Sequence, residues 1–119
     1  MFKRSDHAVV HRFAIALRSG SRGALSRLLA PEVVAVSDGG GQVAVALDPV
    51  RGPGAVAHCV TGLAGPDTTL TVESVNGDPG VVVRDAGRRV VAVVSLRVAA
   101  AKVAAVWIVR NPDKLRHWE

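Results

Sequence analysis

The spacing of apolar residues changes near residue 31 of this chain, and that change constrains the fold more than any other feature. Before residue 31, apolar positions recur every three or four residues, which is the period of an amphipathic helix. Two such stripes follow one another: Val10, Phe13, Ala14 and Leu17, then Ala24, Leu25, Leu28 and Leu29. Ser21 is placed to cap the second helix, and Pro31 is expected to end it. The sequence therefore opens with two predicted helices.

After Pro31 the sequence becomes β-branched and apolar, in short runs separated by Gly, Pro, Asn and Asp. A third helix interrupts these runs, because Pro53 suits a first helical position and an apolar stripe follows it. The remaining runs predict strands at 32–37, 43–47, 69–75, 80–84, 88–99 and 102–110. This order predicts an α+β fold, in which about three helices cover one face of a curved antiparallel sheet and leave a concave pocket. The run 90–94 is apolar on both faces, so we expect it to be a central strand covered on both sides.

Length and composition limit the classes of protein to consider. The 119 residues fit one domain, 1–119, and the single cysteine allows neither an internal disulfide nor a structural zinc site. That cysteine usage fits a cytoplasmic protein. No apolar run approaches the ~18 residues that would span a membrane, and we expect neither a metal nor a cofactor. The net charge is +5, but the basic residues are scattered among only two Phe and two Trp. An acidic protein partner is therefore favoured over specific nucleic-acid binding.

Two strings of the sequence are not built from core-forming residues. The first is Asp38, Gly39, Gly40, Gly41 and Gln42, in a predicted hairpin turn between the strands at 32–37 and 43–47. Three consecutive glycines permit positive φ and close backbone approach beyond what a hairpin needs. A strand follows them, which excludes a phosphate-binding loop that leads into a helix. The string is thus either a structural turn or a contact site for a partner or ligand.

The second string follows the last predicted strand and comprises Asn111, Pro112, Asp113, Lys114 and Leu115. Its proline ends the strand, because proline cannot donate to a central ladder, and its aspartate is placed to cap a short helical turn. Its leucine and Trp118 form an apolar pair about one helical turn apart, among basic residues. Residues 111–119 are therefore either a tail that packs on its own domain or a docking tail for an acidic groove of another protein.

The signal for catalysis in the sequence is weak. Asp38 and His58 are candidates for an acid–base pair, but His58 falls beside the apolar stripe of its helix, and the chain has no Tyr to serve as an oxyanion donor. Glu73 is an alternative pocket carboxylate, although it is more typical of an exposed strand position. We assign no catalytic residue. His58, Trp107 and Arg51 are kept as candidate pocket residues, with Trp107 expected in the core.

Several ordered stretches resemble one family closely. They are residues 28–41, 49–52, 75–80 and 109–115, which include the second string and all of the first except its last residue. These stretches are similar to the C-terminal SnoaL-like extension of a group of extracytoplasmic-function sigma factors, the SigJ-type factors among them. The element order also matches the cone-shaped fold shared by nuclear transport factor 2 (NTF2), ketosteroid isomerase and the SnoaL-type polyketide cyclases. At residue 42, where the family usually has Lys or Arg after the glycines, this chain has Gln42.

The resemblance implies a non-catalytic domain that tunes a sigma factor or RNA polymerase through protein contacts made by the two strings. It also implies a pocket that could take a small apolar ligand. The alternative from the same fold is a small enzyme of the isomerase, polyketide cyclase or epoxide hydrolase type acting on a small apolar molecule. A third reading is a homodimer that pairs through the exposed sheet, with Val91 and Val93 supplying its apolar face.

Overall fold

A computed structural model describes residues 4–39, 48–75 and 77–116 of the chain. The helices are α1 (Arg4–Ser19), α2 (Arg22–Leu28), α3 (Pro53–Thr61) and the short α4 (Pro112–Leu115). The strands are β1 (Leu29–Asp38), β2 (Val50–Arg51), β3 (Thr69–Val75), β4 (Asp78–Arg84), β5 (Val90–Ala99) and β6 (Lys102–Val109). None of the described helices is both long enough and apolar enough to cross a bilayer.

The three main helices lie where the apolar stripes predict them. Ser21 caps α2, because its side-chain oxygen accepts the backbone N–H of Ala24 at 3.2 Å. Pro53 occupies the first turn of α3, after Gly52 at φ 91°. Pro31 does not itself end α2, since that helix stops at Leu28 and the chain passes directly into β1.

The six strands form one mixed sheet in the order β2-β1-β6-β5-β4-β3. The α+β cone-shaped fold predicted from the sequence is confirmed, with one difference in strand direction. β1 runs parallel to β6, with Val36 opposite Trp107, and the other neighbouring pairs are antiparallel. Alternation along a strand indicates its two faces but not its direction, so the sequence does not distinguish this pair from an antiparallel one.

The hairpin predicted around the glycine string differs in its second strand. The segment that pairs with β1 is β2, through Val34 opposite Arg51 and Ala35 opposite Val50. The sequence predicts no strand at these two residues, because Gly and Pro surround them. The strand predicted at 43–47 lies outside the described residues.

The main core lies between the sheet and the helices α1, α2 and α3. Phe13, Leu17 and Leu25 are completely or almost completely buried, in one cluster that also contains valines of β4 and β5. Among the described residues no polar or charged residue is buried in this core, which agrees with the desolvation cost of an unpaired polar group. The helical side of the sheet is therefore an apolar packing surface.

The opposite face of the sheet carries a second, smaller cluster. This outer cluster contains Val75, Val82, Val90, Val93 and Leu115. α4 folds over that face, so the strand predicted to be covered on both sides, β5, is indeed covered on both.

This packing corrects one expectation about the outer face. Val91 packs against the main core, and Val93 is 2% exposed within the outer cluster. A register shift between β4 and β5, next to Arg84 opposite Val90, changes the phase of the alternation here. The two valines therefore do not offer an exposed apolar surface for a homodimer.

Candidate functional site

The two strings singled out in the sequence begin side by side in the structure. Asp38 ends β1 and Val109 ends β6, and the two residues are opposite each other in the parallel pair. The backbone N–H of Arg110 donates to the carbonyl of Asp38 at 2.7 Å. The chain therefore leaves the sheet at two adjacent points, once toward Gly39 and once toward Asn111.

A side-chain contact then joins the strings. Lys114 Nζ lies 2.6 Å from Asp38 Oδ2, and the side chains are 64% and 35% exposed. α4 presents this lysine because the Asn111 carbonyl accepts the backbone N–H groups of Lys114 and Leu115, both at 3.0 Å. An ion pair at this exposure stabilises the fold by about 0–1 kcal/mol, so its main effect is to position charged groups. Sequence reasoning missed the pair, although opposite charges on the two strings were a usable signal.

Several residues of the predicted surface fall outside what the structure describes. Gly40, Gly41 and Gln42 lie outside the described residues, and so does Trp118. Asp113 lies in α4, but its side chain is not described, so its predicted capping role stays a prediction. Gly39 is described and is buried, so here we call Asp38, Pro112 and Lys114 the junction surface.

Leu115 does not act as an exposed anchor. Its side chain is 5% exposed and belongs to the outer cluster with Val82 and Val93. The sequence left two alternatives for the tail, packing on its own domain or docking to another protein. Leu115 packs on its own domain. The reason is that the outer face of the sheet presents valines that need covering, and α4 is the adjacent segment.

The three candidate pocket residues, His58, Arg51 and Trp107, do not line a common cleft among the described residues. His58 is exposed on α3, where its Nδ1 lies 3.0 Å from a guanidinium nitrogen of Arg22. Arg51 is exposed on β2, and Trp107 is 40% exposed on the outer face of β6. The expectation that Trp107 lies in the core is therefore wrong. Its neighbours Val106 and Ile108 face the main core, so the alternation of the strand turns Trp107 outward.

In the part of the chain that the structure describes, the titratable groups near the sheet do not converge on an interior site. Glu73 lies opposite Gly80 on the outer face, where Thr71 Oγ1 donates to its Oε2 at 2.5 Å and an Arg84 nitrogen lies 3.0 Å away. The Thr71 hydrogen bond, helped by Arg84 and against the cost of partial burial, holds the pKa of Glu73 below its usual value. Burial raises the pKa of the Cys59 thiol, which disfavours the reactive thiolate.

Two of the open surface clefts among the described residues bear on this question. The smaller, about 180 Å³, lies between the N-terminal turn of α1 and β5, with Asp6, Leu96 and Arg97 in its lining. The larger, about 590 Å³, lies beside the β4–β5 turn, with Arg84 and Arg88 in its lining. Neither cleft contains His58, Trp107 or Arg51, and no described group of three or more His, Cys, Asp or Glu residues is arranged to hold a metal ion.

Comparison with known proteins places the fold. No protein-family model matches the chain, and neither does any curated protein sequence. Among solved structures, the chain is similar to the extracytoplasmic-function sigma factor SigJ of Mycobacterium tuberculosis, at 25% identity and a TM-score of 0.69. That match covers 94% of this chain but 44% of SigJ, so this chain spans less than half the length of that relative.

Two further structures cover nearly all of both chains. An NTF2-like protein from Burkholderia xenovorans LB400 matches 98% of this chain and 97% of its own, at 19% identity and a TM-score of 0.64. An LEH-like epoxide hydrolase from M. tuberculosis matches 95% and 87%, at 12% identity and a TM-score of 0.53. Identities this low show the fold alone. The chain thus has the NTF2-like α+β fold, and its structural neighbours include part of the sigma factor SigJ.

Proposed function

We propose that this chain is a non-catalytic regulatory domain whose junction surface binds a sigma factor or RNA polymerase. The observation that carries the proposal is the meeting of the two strings. Parallel pairing of β1 with β6 places Asp38 beside the start of the second string, and Lys114 reaches back to the Asp38 carboxylate. The similarity to part of SigJ supports the choice of partner class. A partner of that class implies a cytoplasmic protein.

The physical setting of the junction surface suits protein contact. Residues that leave the ends of adjacent strands are held by a rigid scaffold and remain on the surface. Lys114 is 64% exposed although it is paired, so its ammonium has donors that point to solvent. A partner carboxylate could share this lysine, and a partner cation could share Asp38. Charged contacts of this kind affect the orientation of the partner and the rate of association more than the affinity.

The interior supports binding over catalysis. Chemistry of the isomerase or epoxide hydrolase type needs ionisable groups that converge in a sheltered pocket. In the described part of the chain no polar or charged residue is buried, and Glu73 lies on the outer face with Arg84. The likeness to the epoxide hydrolase concerns the fold, which hosts both enzymes and binding domains.

The test is a binding measurement with purified components. The chain is immobilised and exposed in turn to each extracytoplasmic-function sigma factor of the source organism and to its RNA polymerase. We expect one of these to bind, and we expect Asp38→Ala and Lys114→Ala each to weaken binding about tenfold through lost charge contacts. The matched control is Glu73→Ala, which removes a different ion pair, the one with Arg84, and should leave binding unchanged.

Two results would contradict the proposal. One is the absence of binding to every sigma factor and to the polymerase. The other is binding that survives both junction substitutions as well as it survives Glu73→Ala.

A further inference from the structure

Part of the outer face of the sheet is apolar and is not covered by α4. α4 covers the part that holds Val82 and Val93, but Val36 on β1 and Trp107 on β6 are 41% and 40% exposed. Val36 lies directly opposite Trp107, and Val34 lies opposite Ala105, both half-buried. We call these four residues the outer strip. Along β1 the strip ends two residues before Asp38, so it adjoins the junction surface.

Arginines flank the outer strip on both sides. Arg51 on β2 is opposite Val34, and Arg97 on β5 is opposite Ala105. One row across four strands therefore reads Arg51, Val34, Ala105, Arg97. Because neighbouring strands lie about 4.8 Å apart, the backbones of the two arginines are separated by about 14 Å. Both side chains are exposed, and neither forms an ion pair within the described part of the chain.

We infer that the outer strip is a docking surface for a protein segment that carries an apolar side chain between carboxylates. Tryptophan and arginine are the residue types that most often dominate the energy of protein interfaces. Arg51 and Arg97 provide two guanidinium groups that bind carboxylates with bidentate geometry, and the exposed faces of Val36 and Trp107 lie in the next row. The partner chemistry is thus an acidic segment with an apolar centre.

Charge argues against a second copy of this chain as the occupant. The strip itself holds no carboxylate, its two flanking residues are both cationic, and the whole chain carries +5. Two strips packed face to face would bring arginines together without acidic partners, which is unfavourable. The inference concerns a surface and a partner chemistry, so it holds whether or not the partner is a sigma factor.

The test uses three short synthetic peptides. Each has a Leu-Phe centre, flanked by pairs of glutamates in the first peptide, glutamines in the second and lysines in the third. Trp107 reports binding by its fluorescence in a Trp118→Phe background, and calorimetry measures the affinity of the other variants. We expect saturable binding of the glutamate peptide, binding about tenfold weaker for the glutamine peptide, and none for the lysine peptide.

Variants locate the binding to the strip. Arg51→Glu with Arg97→Glu should lower affinity for the glutamate peptide at least tenfold, and Trp107→Gln should abolish binding. The matched controls are on α1, where Ile15 is 62% exposed and Arg12 is exposed. Ile15→Gln and Arg12→Glu should leave peptide binding unchanged.

Three outcomes would overturn the inference. They are equal binding of the glutamate and glutamine peptides, full binding by the double arginine variant, and a wild-type dimer in sedimentation that Trp107→Gln dissociates. The last would make a second copy the occupant. Asp38→Ala and Lys114→Ala should still bind the peptide, so failure of the sigma-factor proposal and failure of this inference are distinguishable.

Discussion

Among the glycines whose surroundings the structure describes, Gly80 is the one with the least room for a side chain. It lies in the interior of β4, opposite Glu73 on one side and Ser95 on the other. A Cβ added at this position would lie 2.5 Å from Cγ2 of Val75 and 2.6 Å from the carbonyl oxygen of Val94. The second contact is with backbone, which cannot rotate away. Glycine is required here because neighbouring atoms approach closely, and its φ is not in the positive range.

We therefore predict that Gly80→Ala destabilises the protein by about 1–3 kcal/mol, the usual cost of inserting a methyl group into a packed site. Urea denaturation followed by circular dichroism measures the change. The matched control is Gly54→Ala in α3, where an added Cβ meets no atom within 4 Å. That substitution should leave the free energy of unfolding unchanged or raise it by up to about 1 kcal/mol. Equal stability of Gly80→Ala and the wild type would contradict the prediction.

The elements show what the sequence predicts and where prediction fails. Helical stripes and turn residues locate α1, α2, α3 and the strands β3 to β6, because these signals are local. The sequence does not predict β2, because two residues are too few to show the alternation that marks a strand. The parallel direction of β1 relative to β6 is not predicted either, because it depends on a partner far along the chain.

In the candidate site, too, local sequence signals predict some features, and others depend on contacts between distant parts of the chain. Both strings were recognised from their composition, and strand ends are where such residues gather. Their ion pair requires the β1–β6 register, which local patterns do not encode. The outward direction of Trp107 and the burial of Leu115 depend on which part of the outer face α4 covers. The alternation of side chains along a strand identifies its two faces, but it does not indicate which other part of the protein covers each face.

α4 allows a direct test of that covering role. A helix of four residues is too short to be stable alone, so contacts with the sheet must hold it. We predict that Leu115→Ala destabilises the protein by about 2 kcal/mol, at the low end for a buried leucine because the surface site can partly collapse. Urea denaturation provides the measurement.

The matched control for Leu115→Ala is its neighbour Lys114→Ala, which removes only the exposed ion pair with Asp38. It should cost less than about 1 kcal/mol. If both substitutions had the same small effect, the outer cluster would not be what holds α4 on the sheet.

The molecule as a whole combines short-range and long-range strand pairing. β3, β4 and β5 are neighbours both along the chain and in the sheet. By contrast, β1 pairs with β6 across more than half of the sequence, as Val36 opposite Trp107 shows. Closing so long a loop costs entropy before any contact in that pair stabilises the chain. We therefore expect the β3–β4–β5 pairing to form before the rate-limiting step of folding and the β1–β6 pairing after it.

Two fully buried valines distinguish these stages, Val83 on β4 and Val33 on β1. Val83→Ala should slow folding about tenfold and change the unfolding rate little, as expected for contacts already made in the transition state. Val33→Ala should leave the folding rate within about twofold and speed unfolding instead. Stopped-flow measurements over a range of urea concentrations give both rates. If Val33→Ala slowed folding by the same factor as Val83→Ala, β1 would pair with β6 before the rate-limiting step, which would contradict the prediction.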